Sequence, residues 1–480
     1  MQNPDTVPVL DAILALAFIG DLSMGRPTDH SLRTAWLAAQ LAERAGCGAQ
    51  DCRAARQVAL LRWSGCTANA AGFEALLGDD VGGREALMSQ TLPALSQAQQ
   101  RGIFPLAEIH CEVSGEIAAM LGMGNAVEQG LRNIFETYDG TGMPGRLRHP
   151  AVPELVYHVT LASDLEILGR VHGLEGALAR IAAAGNRKYP DALVGPLRRH
   201  ARDWLAALDE QAPAGGGMPA ARGEEDVPLT VIADVIDLKL PWMAGYSRQV
   251  AELARASAAL QGLDAVLQAR LHRAGLIHGM GRAALPNRLW NTPGRLPAAD
   301  WERIRLVPYW TSRAARQIGT LGAEAELASY AYERLDGSGY FRGLGGDALS
   351  AAHRTLAVAA AWAALRARRP WREAMAPDAA AALLREEAAR GRFDADAVEA
   401  TLAAAGGRQA PAAPRTAVVL SERETDVLRR ISQGESNKEV ARTLSISPST
   451  VRTHVESIFR KLECSTRAAA TLKAFTLGLL

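Results

Sequence analysis

The side chains that could do chemistry fall into two groups: scattered carboxylates and histidines, and a cluster of basic and hydroxyl groups near the C-terminus. Two glycine loops carry carboxylates, Glu136 and Asp139 in ETYDGTG and Glu333 and Asp336 in ERLDGSG. Clustered carboxylates and histidines can hold a divalent metal and acidify a water bound to it. The two residues before Glu333, however, are Ala331 and Tyr332, and neither can grip a metal. Glu333 and Asp336 are therefore expected to order their loop by accepting backbone N–H groups. His30, His110 and His158, with Asp164 or Glu166, leave open a single-metal site. The plainer reading packs or hydrogen-bonds these histidines in a core, and a third reading is a metal-free pocket for a nucleotide or other small molecule. Arg295, Arg303 and Arg305 could face a phosphate, although arginines scattered along helices ordinarily make a solvated face.

The C-terminal stretch is more explicit. Ser421 with Glu424, and Ser436 with Glu439, each spell the S-x-x-E capping box, and Gly434 stands where a helix should stop. Ser447 followed by Pro448 gives an N-cap and a proline at the first helical position. The helices SNKEVARTL and PSTVRTHVESIFRKL, joined by SIS, have the spacing of a helix-turn-helix. On the second, Val451, Val455, Ile458 and Leu462 form an apolar stripe, while Arg452, Thr453, Glu456 and Arg460 lie away from it. Such a helix can rest on a small core and lay its other side in the major groove of DNA. Residues 421–480 carry ten Lys or Arg against seven Asp or Glu, a net of +3 within a chain of net +1, which suits phosphate contacts.

The elements that must position these groups are helical. At 480 residues the chain exceeds one ordinary domain and suggests about three. It is 48% hydrophobic but only 5% aromatic, rich in Ala and Leu, which predicts packed helices rather than sheets. Five cysteines without a CxxC pair argue against a disulfide framework or a zinc knuckle, and for a reducing cytoplasm. The early apolar run VLDAILALAFIGDL is broken by Asp11 and Asp21 and has no basic residue before it, so it fails as a signal peptide. No segment offers about 18 uninterrupted apolar residues for a membrane span. Pro- and Gly-rich stretches at 211–226 and 403–416 read as linkers, dividing the chain into 1–210, 227–402 and 417–480.

The first two pieces resemble each other. ETYDGTGMPGRL parallels ERLDGSGYFRGL, HSLRTAWLAAQLAERAG parallels YSRQVAELARASAALQG, and LLRWSGC parallels LIHGMGR. The steps from His30 to Arg62 and from Tyr246 to His278 are both 32 residues. From Arg62 to Asp139 is 77 and from His278 to Asp336 is 58, so the first copy holds 19 extra residues, best placed in FEALLGDDVGGREALMSQ. Within VAELARASAAL, Val250, Leu253, Ala254 and Leu260 are expected on one buried face.

On these motifs the second copy resembles the HD-GYP branch of the HD phosphohydrolases, an all-helical family that binds two or three metal ions and, in active members, hydrolyses cyclic di-GMP. The resemblance puts metal ligands at seven positions, which here are Tyr246, His278, Gly279, Val307, Ala331, Tyr332 and Ala360. In the first copy they are His30, Arg62, Trp63, His110, Ile134, Phe135 and Ser163. One ligand of seven survives in the second copy and two in the first, and a cationic Arg62 would repel a dication. SNKEVA, STVRTHV and STRAAA resemble the LuxR-type (GerE-like) helix-turn-helix. That resemblance implies that Arg452 and Thr453 face bases, that Lys438, Thr450, His454 and Arg460 lie near phosphates, and that STRAAATLKAF makes a dimer contact. Glu456 departs from the basic residue often found at its place, so no base preference carries over.

The expectation is an all-α chain: two tandem degenerate HD-GYP-like domains, then a four-helix LuxR-type domain. It is expected to regulate transcription from the cytoplasm as a homodimer on double-stranded DNA, governed by a small-molecule or protein effector. No catalytic residue, metal ligand or cofactor is assigned, and the chain is expected not to be an enzyme. The alternatives are a metal-dependent cyclic di-GMP phosphodiesterase fused to a DNA-binding domain, and a protein-interaction platform controlling a DNA-binding head.

Overall fold

The computed structural model describes residues 5–210, 226–407 and 418–480, and the expected linkers at 211–226 and 403–416 fall largely outside them. The regular structure of the described residues is helical apart from two three-residue strands, as the composition predicts. They form two compact units, Leu16–Glu225, and Met1–Ala15 with Asp226–Leu480.

In the first unit, helix His30–Arg44 packs on Ala49–Leu61 and on Glu154–Ala183. Leu37, Leu41, Val58, Leu61, Leu161 and Leu165 are wholly buried there, at the i, i+3, i+4 spacing that gives a helix one apolar side. Helix Gln97–Met120 starts at Ser96, whose hydroxyl accepts the Gln99 amide while the Gln99 side chain accepts the Ser96 amide. The extra segment of this copy folds as helices Ala70–Leu77 and Gly82–Met88. It delivers the buried Arg84, which donates to the carbonyl of Cys66 at 2.8 Å and to Asn69 Oδ1 at 2.7 Å.

In the second unit, helix Tyr246–Leu260 packs on Ala265–Ile277, Ala351–Arg366 and Ala395–Gly406. Strand Thr6–Pro8 pairs antiparallel with Asp226–Pro228. Val250, Leu253 and Ala254 are buried as expected, but Leu260 is 60% exposed. Its angular position, ten residues from Val250, lies off the stripe, and Ser257 at i+7 takes the inward place and bonds Thr401 at 3.0 Å.

Each unit repeats the other's local bonds. The carboxylate of Asp21 accepts from Ser31 N at 3.0 Å and Ser31 Oγ at 2.6 Å, and that of Asp237 from Ser247 N at 2.7 Å and Ser247 Oγ at 2.8 Å. Gly65 N donates to Ser114 Oγ and Gly281 N to Thr311 Oγ1, both at 3.0 Å.

The C-terminal part of the second unit has four helices, Glu422–Ser432, Asn437–Leu444, Pro448–Leu462 and Arg467–Thr476. Both S-x-x-E boxes are formed, and Ser447 Oγ accepts the Thr450 amide at 3.0 Å. Val451, Val455, Ile458 and Leu462 close on Val427, Leu428, Ile431 and Val440 in one core.

Candidate functional site

In the second unit, the places where a metal cluster would form converge on a guanidinium. Arg282, 3% exposed, points its Nη2 at His278 Nε2 (3.0 Å) and at the Tyr332 hydroxyl (3.1 Å). It lies 4.8 Å from the centre of the Tyr246 ring. A Cβ added at Gly279 would stand 2.5 Å from Arg282 Nη1, so the guanidinium fills the room that a side chain there would need. Its nearest carboxylate oxygen is Asp237 Oδ1 at 3.8 Å. Burial, and then the charge of Arg282, push His278 down to about 3, leaving it neutral. His278 Nδ1 donates to the carbonyl of Gly275 at 2.6 Å, which leaves Nε2 as the acceptor for Arg282.

These residues border a cavity of about 430 Å³, within the range of ordinary ligand pockets. Tyr246, Ala331, Tyr332 and Ala360 of the seven positions line it, with Arg282, Arg334, Arg369 and Arg372. Glu333, the one acidic side chain in the lining, accepts the amides of Arg342 at 2.8 Å and Leu344 at 3.2 Å. Asp336 accepts Ser338 N and Oγ at 2.9 and 2.6 Å. Both carboxylates therefore order the glycine loop. Arg295 and Arg305 are exposed, and neither they nor Arg303 line the cavity. The cavity arginines Arg282, Arg369 and Arg372 escaped the reading of the sequence. The only signals for them were GMGR and the run RARRPWR.

In the first unit the candidate carboxylates are paired with cations. Asp164 pairs with Lys188 at 2.7 Å, and Glu166 with Arg33 at 2.9 Å and Arg170 at 2.5 Å. His110 Nε2 meets the carbonyl of Arg62 at 2.8 Å, and burial lowers this histidine to about 3. Arg62 is buried over the Trp63 ring at 4.5 Å, and burial brings it down to about 10. His30 is buried with neither ring nitrogen hydrogen-bonded, and His158 is buried as well. Among the described residues no group of three or more His, Cys, Asp and Glu converges as a metal set. The metals that the HD-GYP resemblance implies do not fit the donors present.

The residues expected at DNA lie on or near the outer side of helix Pro448–Leu462. Arg452, Thr453, Glu456 and Arg460 are exposed on it, His454 is half-buried, and Lys438 and Thr450 are exposed nearby. Arg452 Nε pairs with Glu456 Oε1 at 2.9 Å, and Arg460 bonds Ser457. Behind this face Glu424 accepts Ser457 Oγ and Lys461 Nζ, both at 2.7 Å, tying the first helix to this one. Helix Arg467–Thr476 turns Phe475 toward helix Tyr246–Leu260, with the Arg248 guanidinium 5.7 Å from its ring. Arg368 stands 3.8 Å from Glu435 and 3.7 Å from Glu439. Tyr246 also borders a second cavity, of about 540 Å³, lined by Arg368, Arg430, Glu435 and Glu439. No described helix is long and apolar enough to cross a membrane.

Two family models match, "HD domain" over residues 230–397 and "Bacterial regulatory proteins, luxR family" over 418–474. The 3′3′-cGAMP-specific phosphodiesterase 3 of Vibrio cholerae is 24% identical across 80% of this chain and 91% of that protein. Phosphodiesterase 1 of the same name and organism is 31% identical across 40% of this chain and 44% of its own length. The nitrate/nitrite response regulator NarP of Escherichia coli is 50% identical across 11% of this chain and 25% of that protein. A crystal structure of a cyclic GMP-AMP-specific phosphodiesterase from V. cholerae shares the fold, with TM-score 0.60 and 21% identity over 84% of this chain and 99% of the other. These relatives correct one expectation. A chain whose body is homologous to phosphodiesterases over most of its length cannot be set down as a non-enzyme on missing ligands, and the kinship points to a hydrolase.

Proposed function

From a chain that joins an HD domain to a luxR-family helix-turn-helix domain, we propose a transcription regulator that binds double-stranded DNA as a homodimer and whose HD body receives a cyclic dinucleotide. The observation that carries the DNA role is helix Pro448–Leu462, with one side closed on its own core and Arg452, Thr453 and Arg460 turned to solvent. That division is what major-groove reading requires. A DNA-binding role carries with it a cytoplasmic location.

The body supplies control through a shared wall. Tyr246 borders both the cavity around Arg282 and the cleft lined by Arg430, Glu435 and Glu439 of the DNA-binding part. A ligand that prefers one setting of Tyr246 shifts the exposure of the head, and only by its difference in affinity for the two arrangements. Helix Arg467–Thr476, the dimer contact of LuxR-type domains, lies with Phe475 against Gly245 and Arg248. Loosening that contact frees the surface for a second copy. A second reading, hydrolysis of the bound dinucleotide, is favoured by the kinship to phosphodiesterases.

The test selects duplexes from a random library with the full-length chain. The proposal expects two related half-sites about 10 base pairs apart, and no enriched sequence at any salt concentration would contradict it. Incubation with 3′3′-cGAMP and cyclic di-GMP, followed by chromatography for linear product, decides the hydrolytic reading.

A further inference from the structure

The cavity of the second unit already holds its cation. Arg282 contacts three of the seven positions where the HD-GYP resemblance puts metal ligands, and its Nη1 stands against a fourth, Gly279. Nη1 is buried and makes no hydrogen bond. A divalent ion placed there would meet a fixed positive charge and two phenols, with the single carboxylate of Asp237 already 3.8 Å from Nη1.

The rest of the wall extends the same chemistry. Arg369 lies 4.1 Å over the Trp242 ring, and no carboxylate is among the charges acting on it in the described residues. Arg372 spends Nη2 on the carbonyls of Ala364 and Leu365, and its buried Nε has no acceptor. Flat faces stand beside these cations. Tyr332 stacks on Tyr340 with centroids 5.3 Å apart and planes 9° apart, and the indole N–H of Trp290 is buried without an acceptor. Guanidinium forks match the oxygens of a phosphodiester, and ring faces match a purine. Unpaired buried donors are costly unless a ligand completes them.

We infer that this cavity binds a cyclic dinucleotide without metal, its phosphodiester on Arg282, Arg369 and Arg372 and a base against the Tyr332–Tyr340 pair, with the Trp290 N–H donating to a base or ribose oxygen. The inference rests on the dinucleotide reading above and replaces its metal by arginine. Replacing isolated metal ligands would leave buried unpaired charge, whereas inserting a guanidinium with its own acceptors keeps a cationic site intact.

The experiment is calorimetric titration of the full-length protein with 3′3′-cGAMP, and separately with cyclic di-GMP, first in EDTA and then in excess Mn²⁺. At least one of the two is expected to bind with the same affinity, within about twofold, in both conditions. Arg369→Met is expected to weaken it roughly tenfold or more, the scale of one charge-assisted hydrogen bond. Trp290→Phe, which removes only the N–H, is expected to weaken it about three- to tenfold. Circular dichroism confirms that both variants are folded, and neither depends on replacing the buried Arg282. Binding lost in EDTA and restored by Mn²⁺ would overturn the inference while leaving the dinucleotide reading intact. Metal-independent binding untouched by both variants would place the ligand elsewhere. If neither dinucleotide binds under any condition, the ligand class itself fails and only the DNA-binding role stands.

Discussion

Replacing Arg452 by alanine tests whether helix Pro448–Leu462 reads sequence. In the unbound chain the Arg452 side chain is 76% exposed and its Nε pairs with Glu456 at 2.9 Å, an i, i+4 pair with both partners in water. Such an exposed pair is worth only about 0.3–0.5 kcal/mol, so its loss leaves helix stability nearly unchanged. A base contact is worth about 1–3 kcal/mol, or roughly 5- to 150-fold in affinity for the selected site. Glu456→Ala should act oppositely. It releases Arg452 from its competitor and removes a negative charge from the DNA face, tightening binding about twofold or more. The assay is fluorescence anisotropy of the selected duplex and of a scrambled one at several salt concentrations, with both single variants and the double. Arg452→Ala should cost the selected site far more than the scrambled one, and the gain from Glu456→Ala should shrink when Arg452 is absent. An equal loss on both duplexes would refute the assignment and reduce Arg452 to a phosphate contact.

Glu424→Ala removes the acceptor for Ser421 N, Ser457 Oγ and Lys461 Nζ, each at 2.7 Å, and is expected to cost about 3 kcal/mol, read by hydrogen exchange of the amides of residues 422–476. Burial raises this carboxyl, but Lys461 and Ser421 outweigh it and hold it at about 2, so its stabilisation is present above the ordinary glutamate range and fades as pH falls toward about 2. Asp21 behaves the other way. Burial, opposed by its bonds from Ser31, raises it to about 8, so its contribution is full below pH ~4 and is lost as pH rises through about 8. Asp21→Asn should flatten that decline in urea-unfolding midpoints followed by tryptophan fluorescence. A Cβ at Gly281 would stand 2.0 Å from Val307 O and 2.7 Å from Thr311 N, so Gly281→Ala is expected to destabilise by about 3 kcal/mol, seen as a lower Tm.

What could be read in the sequence was whatever depends on neighbours along the chain. Capping boxes at Ser421 and Ser436, the stripe from Val451 to Leu462 and the glycine loops are local, and they form as spelled. The internal parallel was legible in the equal 32-residue steps from His30 to Arg62 and from Tyr246 to His278, and the bonds of Asp21 to Ser31 recur in those of Asp237 to Ser247. The cavity was not, because its cations come from distant segments. Arg282 lies within the short helix Met280–Ala284 after His278, whereas Arg369 and Arg372 lie past the end of helix Ala351–Arg366 in a stretch that reads as a polar loop. Counting lost ligands showed what the second copy lacks, but not that a guanidinium had taken the space beside Gly279. It also could not decide enzymatic character, on which kinship to phosphodiesterases overrode the count. Leu260 failed for a simpler reason: a hydrophobic residue at the end of a helix was put on a face that its angle misses.

If the HD body governs the DNA-binding head through a bound dinucleotide, occupancy of the body must change affinity at the head. The most direct measurement is the affinity of the full-length protein for its selected duplex with and without saturating 3′3′-cGAMP or cyclic di-GMP, both in EDTA. A change of at least about fivefold is expected with one of them, the lower end of ordinary coupling between sites, and an equal change in dinucleotide affinity when the duplex is present. A duplex affinity that stays the same with either dinucleotide bound would contradict it.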